Sequence, residues 1–327
     1  MYNVALIGMG NIGFTFDKDP NTKTAFSHAK GIYLHKEFNL KYIADPSDTN
    51  LNDLKKLFPK VIYSHDYTTL LNISDIDILV IATPTHLHKS ILIDFQVNLH
   101  IKTFFIEKPL FSIDEDHTGI SENIKKKIII NYPRRFDPNI QEVRKQLLFQ
   151  PYGSLRKAII KYSKGFSNNG SHAIDLLHCF LENFSLENPK ILQRLPGFDN
   201  QDLTLDIYGQ LLMQNTVSQL YFMGFDHNHL TTFSLELYFK KAIVKYDDTE
   251  LTISISEIKA DKQYPAYLTE AEPMFLKDLN MDKIMLLAYE DLYKKLTDEV
   301  SHASTFYDEI KNLKFKNKIL KEDKCQS

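Results

Sequence analysis

The stretch "NVALIGMGNIG", residues 3–13, decides how the rest of the chain is read. Its apolar run, Val4 to Ile7, ends at three glycines, Gly8, Gly10 and Gly13, in the spacing G-x-G-x-x-G. The run reads as a buried strand. The glycines allow a tight turn and a close backbone approach to a pyrophosphate. The segment after them is compatible with a helix, whose free N–H groups favour an anion. Gly8, Gly10, Asn11, Ile12 and Gly13 therefore form the first candidate cofactor site. A glycine-rich turn without a ligand is the bland alternative.

Further along come "LKYIAD" (40–45), "DILVIAT" (77–83), "TFFIEK" (103–108) and "KKIIIN" (126–131), separated by segments of helical length. Short apolar strands alternating with helices imply a parallel sheet covered on both faces, the doubly wound α/β pattern. From about residue 154 the pattern changes to longer strands that alternate polar with apolar, as in "TLDIYGQL". That predicts an antiparallel sheet with one solvated face. A helix over about 171–181 interrupts it. A last helical segment, about 280–312, carries Ile284, Leu287, Ala288, Leu292 and Leu296 at helical spacing. The expected domains are 1–131 and 132–327, with the last helix a candidate to pack back on the first. The tail "KNLKFKNKILKEDK" holds six lysines and reads as a solvated, fraying helix end.

The composition fits a globular protein of two domains: 327 residues, 43% hydrophobic and 25% charged. A net charge of -3 gives no reason to expect nucleic acid or an anionic membrane as partner. Two cysteines, Cys179 and Cys325, make no disulfide framework and fit a reducing cytosol. The N-terminus lacks a basic leader, and no stretch approaches the roughly 20 apolar residues of a membrane span. The expected location is cytoplasmic.

Asp45 ends the second strand-like run. A carboxylate there can accept hydrogen bonds from ribose hydroxyls and repels a 2′-phosphate, which favours NAD over NADP. A turn or cap acid is the alternative. Asp45 lies 32 residues after Gly13, against the usual ~20. The excess falls in "DKDPNTKTAFSHAKG", which reads as an inserted loop able to cover the cofactor or touch a partner. "IATPTHLHKS" follows the fourth strand, at the sheet's carboxyl edge, and makes Thr83, Pro84 and His88 candidate neighbours of the nicotinamide. His86 and His88 are otherwise surface residues. No third ligand shares their spacing, so no metal is expected.

The elements "IGMGNIG", "ATPTHLH", "IEKPL", "NYPRRFDP" and "NNGSHAIDLL", in this order, resemble the Gfo/Idh/MocA oxidoreductases, the glucose-fructose oxidoreductase and inositol dehydrogenase family. The resemblance spans nearly the whole chain, and the Glu-Lys-Pro element is its most specific mark. It implies a Rossmann domain followed by an α/β domain with a large, mostly antiparallel open sheet. That sheet's free face commonly joins subunits, so a homodimer or homotetramer is expected. It also implies hydride transfer between NAD(P) and a sugar, sugar nucleotide or cyclitol. Two alternatives stay open: a non-redox enzyme with tightly bound NAD, such as an epimerase or glycosidase, and a non-catalytic NAD- or sugar-sensing protein. The family's catalytic lysine falls on Lys108, within Glu107-Lys108-Pro109, where Glu107 and Lys108 also border the cofactor. Its histidine falls on His172. Many members carry an aspartate four residues before that histidine; this chain has Asn168.

The residues themselves support such roles. Lys108 sits just past a strand, and Pro109 favours extended geometry before it. An ammonium there can polarise a carbonyl or hold an alkoxide. A surface lysine paired with Glu107 is the alternative. Ser171 is a candidate N-cap for a helix starting at His172. Such a position favours a neutral imidazole able to exchange a proton. Asp175, one turn on, can orient the imidazole, bind a substrate hydroxyl, or simply suit a helix N-terminus. His178 reads as packing. Asn168 cannot take a proton, so acid–base work would fall on Lys108, His172 or both. Arg134 and Arg135 suit an anionic group of cofactor or substrate, or pair with local acids such as Asp137. Tyr162 and Lys164 are candidate pocket residues by position alone.

Overall fold

The computed structural model describes the chain apart from residues 20, 114, 150–151, 198–201, 214–215 and 325–327, and apart from the side chains of 322–324. Cys325 thus lies outside the described residues. No helix among those described is long and apolar enough to cross a membrane. In chain order the helices are α1 (His28–Leu34), α2 (Leu51–Leu57), α3 (His88–Asp94), α4 (Glu122–Lys127), α5 (Pro138–Phe149), α6 (Gly170–Phe180), α7 (Ile284–Leu296) and α8 (Phe306–Lys324). Two compact units divide the chain: Met1–Phe136 with Met281–Glu309, and Asp137–Asn280 with Ile310–Ser327. The first unit therefore takes in Tyr132–Phe136 and the whole of α7.

The first unit is built on strands β1 (Tyr2–Ile7), β2 (Phe38–Ala44), β3 (Ile62–Ser64), β4 (Ile78–Ile81), β5 (Thr103–Glu107) and β6 (Ile128–Asn131). They lie parallel in the order 3-2-1-4-5-6, and a two-residue strand, Ser304–Thr305, adds antiparallel beside β6. Strands β4, β5 and β6 are buried at every residue, as a sheet covered on both faces demands. The order reverses between β1 and β4, which opens a crevice at their carboxyl ends. Helix α7 packs on α1 through Met285, Ala288, Tyr289 and Leu292, all buried. The three-residue β3 is half exposed and carries too short an apolar run to announce itself.

The second unit holds an eight-stranded sheet: β7 (Leu155–Tyr162), β8 (Phe184–Leu195), β9 (Thr204–Met213), β10 (Thr216–Gly224), β11 (Phe233–Phe239), β12 (Ala242–Asp247), β13 (Thr252–Ala260) and β14 (Leu268–Asp278). Its order is 14-13-12-11-7-10-9-8, antiparallel except where β10 runs parallel to β7. Burial alternates along β7 and β9, so one face is solvated.

Four elements differ from the sequence expectation. The run 232–246 splits at Lys240–Lys241 into the hairpin β11–β12. The edge strand β14 is polar and holds Pro273 at a register shift, a composition that conceals a strand. Helix α5 was unmarked; Pro138 is its first residue, and Asp137 caps it by accepting from Asn139 N at 2.7 Å. The expected segment 280–312 is two helices, and the lysine-rich tail is no fraying end. Leu313, Phe315 and Ile319 of α8 are buried.

Candidate functional site

The glycine loop crosses the end of β1 in the first unit. Gly8 takes φ +103°, and a Cβ on it would lie 2.6 Å from Ala82 O. Gly8 N donates to Ala44 O at 2.9 Å, which ties the loop to β2. A Cβ on Gly13 would stand 2.2 Å from Gly8 O. These two glycines close the turn. Gly10 is different: nothing lies within 4 Å of where its Cβ would be.

The expected insertion is real, and its limits are now visible. His28 N donates to Ile12 O at 2.8 Å and Ala29 N to Gly13 O at 3.0 Å. An unbroken helix would span four residues in each bond; here each spans sixteen, so twelve residues are spliced into the first helix. Removing twelve brings Asp45 from 32 to 20 residues beyond Gly13. The splice is pinned at its base. Asp17, buried, accepts from Phe26 N and Ser27 N at 2.7 and 2.6 Å. Ala25 exchanges backbone bonds with Asp282 and Met285. Ser27 caps α1, so His28 belongs to the helix and not to the loop.

Asp45 follows β2 directly. Its Oδ2 accepts from Met9 N at 2.6 Å and its Oδ1 from Ser47 N at 2.8 Å, which sets the carboxylate against the glycine loop. At the end of β4, the Thr83 hydroxyl is buried and has no hydrogen-bond partner. An orphaned hydroxyl there, with open space at Gly10 and a carboxylate at β2, fits a dinucleotide across the crevice. Pro84 is exposed beside it.

Two expected cofactor contacts face inward instead. His88 is fully buried; its Nε2 meets Thr83 O at 2.9 Å and its Nδ1 meets Leu110 O at 3.2 Å. Burial pushes this imidazole below its ordinary range, against the carbonyls that raise it. It is a clamp between the β4 turn and the segment after Pro109, neither a surface residue nor an open contact. His86 is exposed. Glu107, 8% exposed, accepts from His28 Nε2 at 2.9 Å and Asn131 Nδ2 at 2.6 Å. Burial would raise its carboxyl, but those bonds and the Lys108 charge outweigh burial and hold it below the usual range. Lys108, half-buried, follows at the carboxyl edge of β5, and the Lys108–Pro109 bond is cis.

The second unit carries the other expected residues. The helical run begins earlier than expected, with a π-turn over Gly165–Asn169 that leads into α6. Its first N–H groups are all satisfied: Gly165 by Thr204 Oγ1, Phe166 by Leu203 O, Ser167 and Asn168 by the Asp202 carboxylate at 2.7 and 2.8 Å. Asp202, unread in the sequence, is the cap. Ser171 lies inside the helix, donating to Asn168 O. His172, half-buried, stands two turns in, so the field of the helix N-terminus no longer governs it. Asn168 is exposed. Asp175 is 2% exposed and accepts from Asn312 Nδ2 at 3.3 Å, a link to α8. His178 stacks on Phe184 at 4.6 Å.

Two substrate candidates are corrected. Tyr162 is fully buried, and its hydroxyl is saturated by Leu205, donating to the carbonyl at 2.7 Å and accepting from the N–H at 2.8 Å. Arg135 is buried in the first unit with Nη1 3.9 Å from Asp308; Asp137 serves α5 instead. Arg134 is half-buried, as is Lys164, which takes φ +69° and turns the chain from β7 into the π-turn. Among the described residues no cluster of His, Cys, Asp or Glu forms a metal site.

The chain resembles several known proteins. No curated protein sequence matches it. A myo-inositol dehydrogenase from Corynebacterium glutamicum shares its fold with TM-score 0.69 at 18% identity, over 98% of this chain and 96% of that one. Levoglucosan dehydrogenase, solved with NADH and levoglucosan, gives TM-score 0.74 at 15% identity over 100% and 98%. A super-repressor mutant of Gal80p from Saccharomyces cerevisiae gives 0.73 at 17% identity over 100% and 97%. At such identities these likenesses show the fold. Residues 2–127 match the Gfo/Idh/MocA family profile, described as an oxidoreductase family with an NAD-binding Rossmann fold. Over those residues, the chain is similar to the Gfo/Idh/MocA oxidoreductase family.

Proposed function

We propose that the chain is an oxidoreductase that moves hydride between NAD and a carbinol carbon of a sugar, sugar nucleotide or cyclitol. The reading rests on the β1/β4 crevice, where the open Gly10, the Asp45 carboxylate and the orphaned Thr83 hydroxyl fit the dinucleotide. The dehydrogenase neighbours support the substrate class. When bound, nicotinamide supplies the hydride acceptor. In oxidation the carbinol C–H leaves as hydride and the hydroxyl proton passes to the His172 imidazole. The Lys108 ammonium hydrogen-bonds the oxygen as it becomes a carbonyl. Reduction runs the same steps backward. Asn168 holds a substrate hydroxyl and takes up no proton. Asp45 selects NAD over NADP by repelling a 2′-phosphate. A homodimer or homotetramer through the second-unit sheet, whose strands expose Val217, Leu268 and Leu276, belongs to the same reading.

The test is a panel of sugars, nucleotide sugars and cyclitols with NAD and NADP, followed in both directions. Turnover with NAD and loss of at least about a hundredfold in Lys108→Ala and His172→Ala supports the proposal. Absence of nicotinamide binding at millimolar concentration sinks it. The likeness to a repressor mutant favours one second reading, binding without turnover. It takes over if Lys108→Ala leaves every measured activity intact.

A further inference from the structure

One histidine ring ties the turn after β2 to the turn after β3, beside the expected ribose site. Tyr63 of β3 donates its hydroxyl hydrogen to Asp45 O at 2.7 Å. His65, the first residue past β3, sets Nδ1 2.9 Å from that hydroxyl and 3.3 Å from Pro46 O. Its ring stands edge-on to Tyr63, with centroids 4.9 Å apart. The protons follow from the partners. A carbonyl oxygen only accepts, so the tyrosine hydrogen lies toward Asp45 O. Nδ1 must then be the donor, both to the hydroxyl and to Pro46 O. It keeps that proton in the neutral ring and in the charged one. The ring is exposed, and Nε2 lies on its other side. A proton gained there turns Nε2 from an acceptor into a charged donor and breaks none of these bonds.

The surroundings decide what that charge meets. Ser47 N is held by Asp45 Oδ1, and Ser47 Oγ and Thr49 Oγ1 lie 2.7 Å apart, both residues exposed. The two turns, 45–50 and 64–70, contain no Arg or Lys, so His65 is their one side chain able to turn positive. The titratable groups facing it are Tyr63 on β3, Asp45 and Asp48 on the turn after β2, and Asp66 next to it. Burial, with the charges of Asp48 and Asp45, raises Tyr63, which stays neutral. Hydrogen bonds from Thr68 lower Asp66, which stays charged. Around a neutral His65 the turns thus carry negative charge alone and refuse a 2′-phosphate.

We infer that His65 is a specificity-determining residue for the cofactor: protonated, and together with the Ser47 and Thr49 hydroxyls, it forms a subsite for the 2′-phosphate of NADP. The inference rests on the proposed function, which sets the adenosine ribose against Asp45. A cation beside the carboxylate of the second strand is what a dinucleotide site uses to accept that phosphate. Histidine is the side chain that changes charge between about pH 8 and about pH 5, so NADP gains on NAD as pH falls.

The test needs no substrate. The full-length protein is titrated calorimetrically with NAD and with NADP, at about pH 8 and about pH 6, and the ratio of the NADP Kd to the NAD Kd is read. In the wild type that ratio should fall about tenfold between the two, the scale of one charge-assisted hydrogen bond. The phosphate's own second proton, with a pKa of about 6, also eases repulsion at the lower pH. It does so whatever stands at position 65, so His65→Gln is the control, and its ratio should fall no more than about threefold. Equal falls in wild type and His65→Gln overturn the inference, and so does a wild-type ratio that stays level. Failure of NAD to bind at millimolar concentration sinks the proposed function and this inference with it. Tight NAD binding with a ratio indifferent to residue 65 sinks this inference alone.

Discussion

At the scale of single residues, the glycine loop separates fold from ligand. Gly8→Ala would push a Cβ into Ala82 O, so it should cost about 2 kcal/mol or more, seen as a lower urea midpoint. Gly10→Ala meets open space. It should leave the midpoint within about 0.5 kcal/mol yet weaken NADH binding at least about tenfold by fluorescence titration. Asp45→Asn should raise NADP use relative to NAD, read as a ratio of kcat/KM values. Glu107 gives a pH prediction. Its folded carboxyl lies below the ordinary value of 4.5, so its stabilising effect is complete above that value and fades as pH falls through the folded one. Wild type should therefore lose more stability than Glu107→Gln as pH falls from about 5 to about 3. The loop glycines, Asp45 and Lys108 were legible in the sequence because their geometry is local. His28 was not, because the spliced residues hide its helical register and "SHAKG" reads as loop. Ser27 before it was the available N-cap signal. Asn131 and Tyr289 reach their partners only through the tertiary fold.

At the scale of elements, the start of the α6 run shows why a capping argument from sequence failed. Ser171 is a good cap by type, but the chain had already turned helical at Gly165, and the cap came from Asp202, 34 residues beyond Asn168. A π-turn leaves no periodic mark, and a distant cap leaves none at all. Asp202→Ala should strip two N–H groups of their acceptor and destabilise the second unit by about 1–2 kcal/mol, measured by thermal unfolding. The strands of the parallel sheet were easy to read because buried strands are continuous apolar runs. The edge strands β3 and β14 are short or polar and lack that signature.

At the scale of the molecule, the change of pattern at about residue 154 foretold a parallel sheet followed by an antiparallel one. It could not foretell how the chain is shared between them. The path passes from one unit to the other after Phe136, Asn280 and Glu309, so neither unit is continuous in sequence. Helix α7 buries Ile284, Met285, Ala288, Tyr289 and Leu292 in the first unit. At ~1.5–3 kcal/mol for each large side chain, that helix supplies several kcal/mol, comparable with the net stability of a domain. A fragment of residues 1–136 should therefore bind ANS and lack a cooperative melt, and a native-like melt would refute this. The same connectivity governs the order of events on the ribosome. The dinucleotide sheet emerges first, yet the helix that covers its glycine-loop side is translated nearly 150 residues later. The nascent sheet must wait with an apolar face uncovered, which makes this half of the protein the natural client of a chaperone during synthesis.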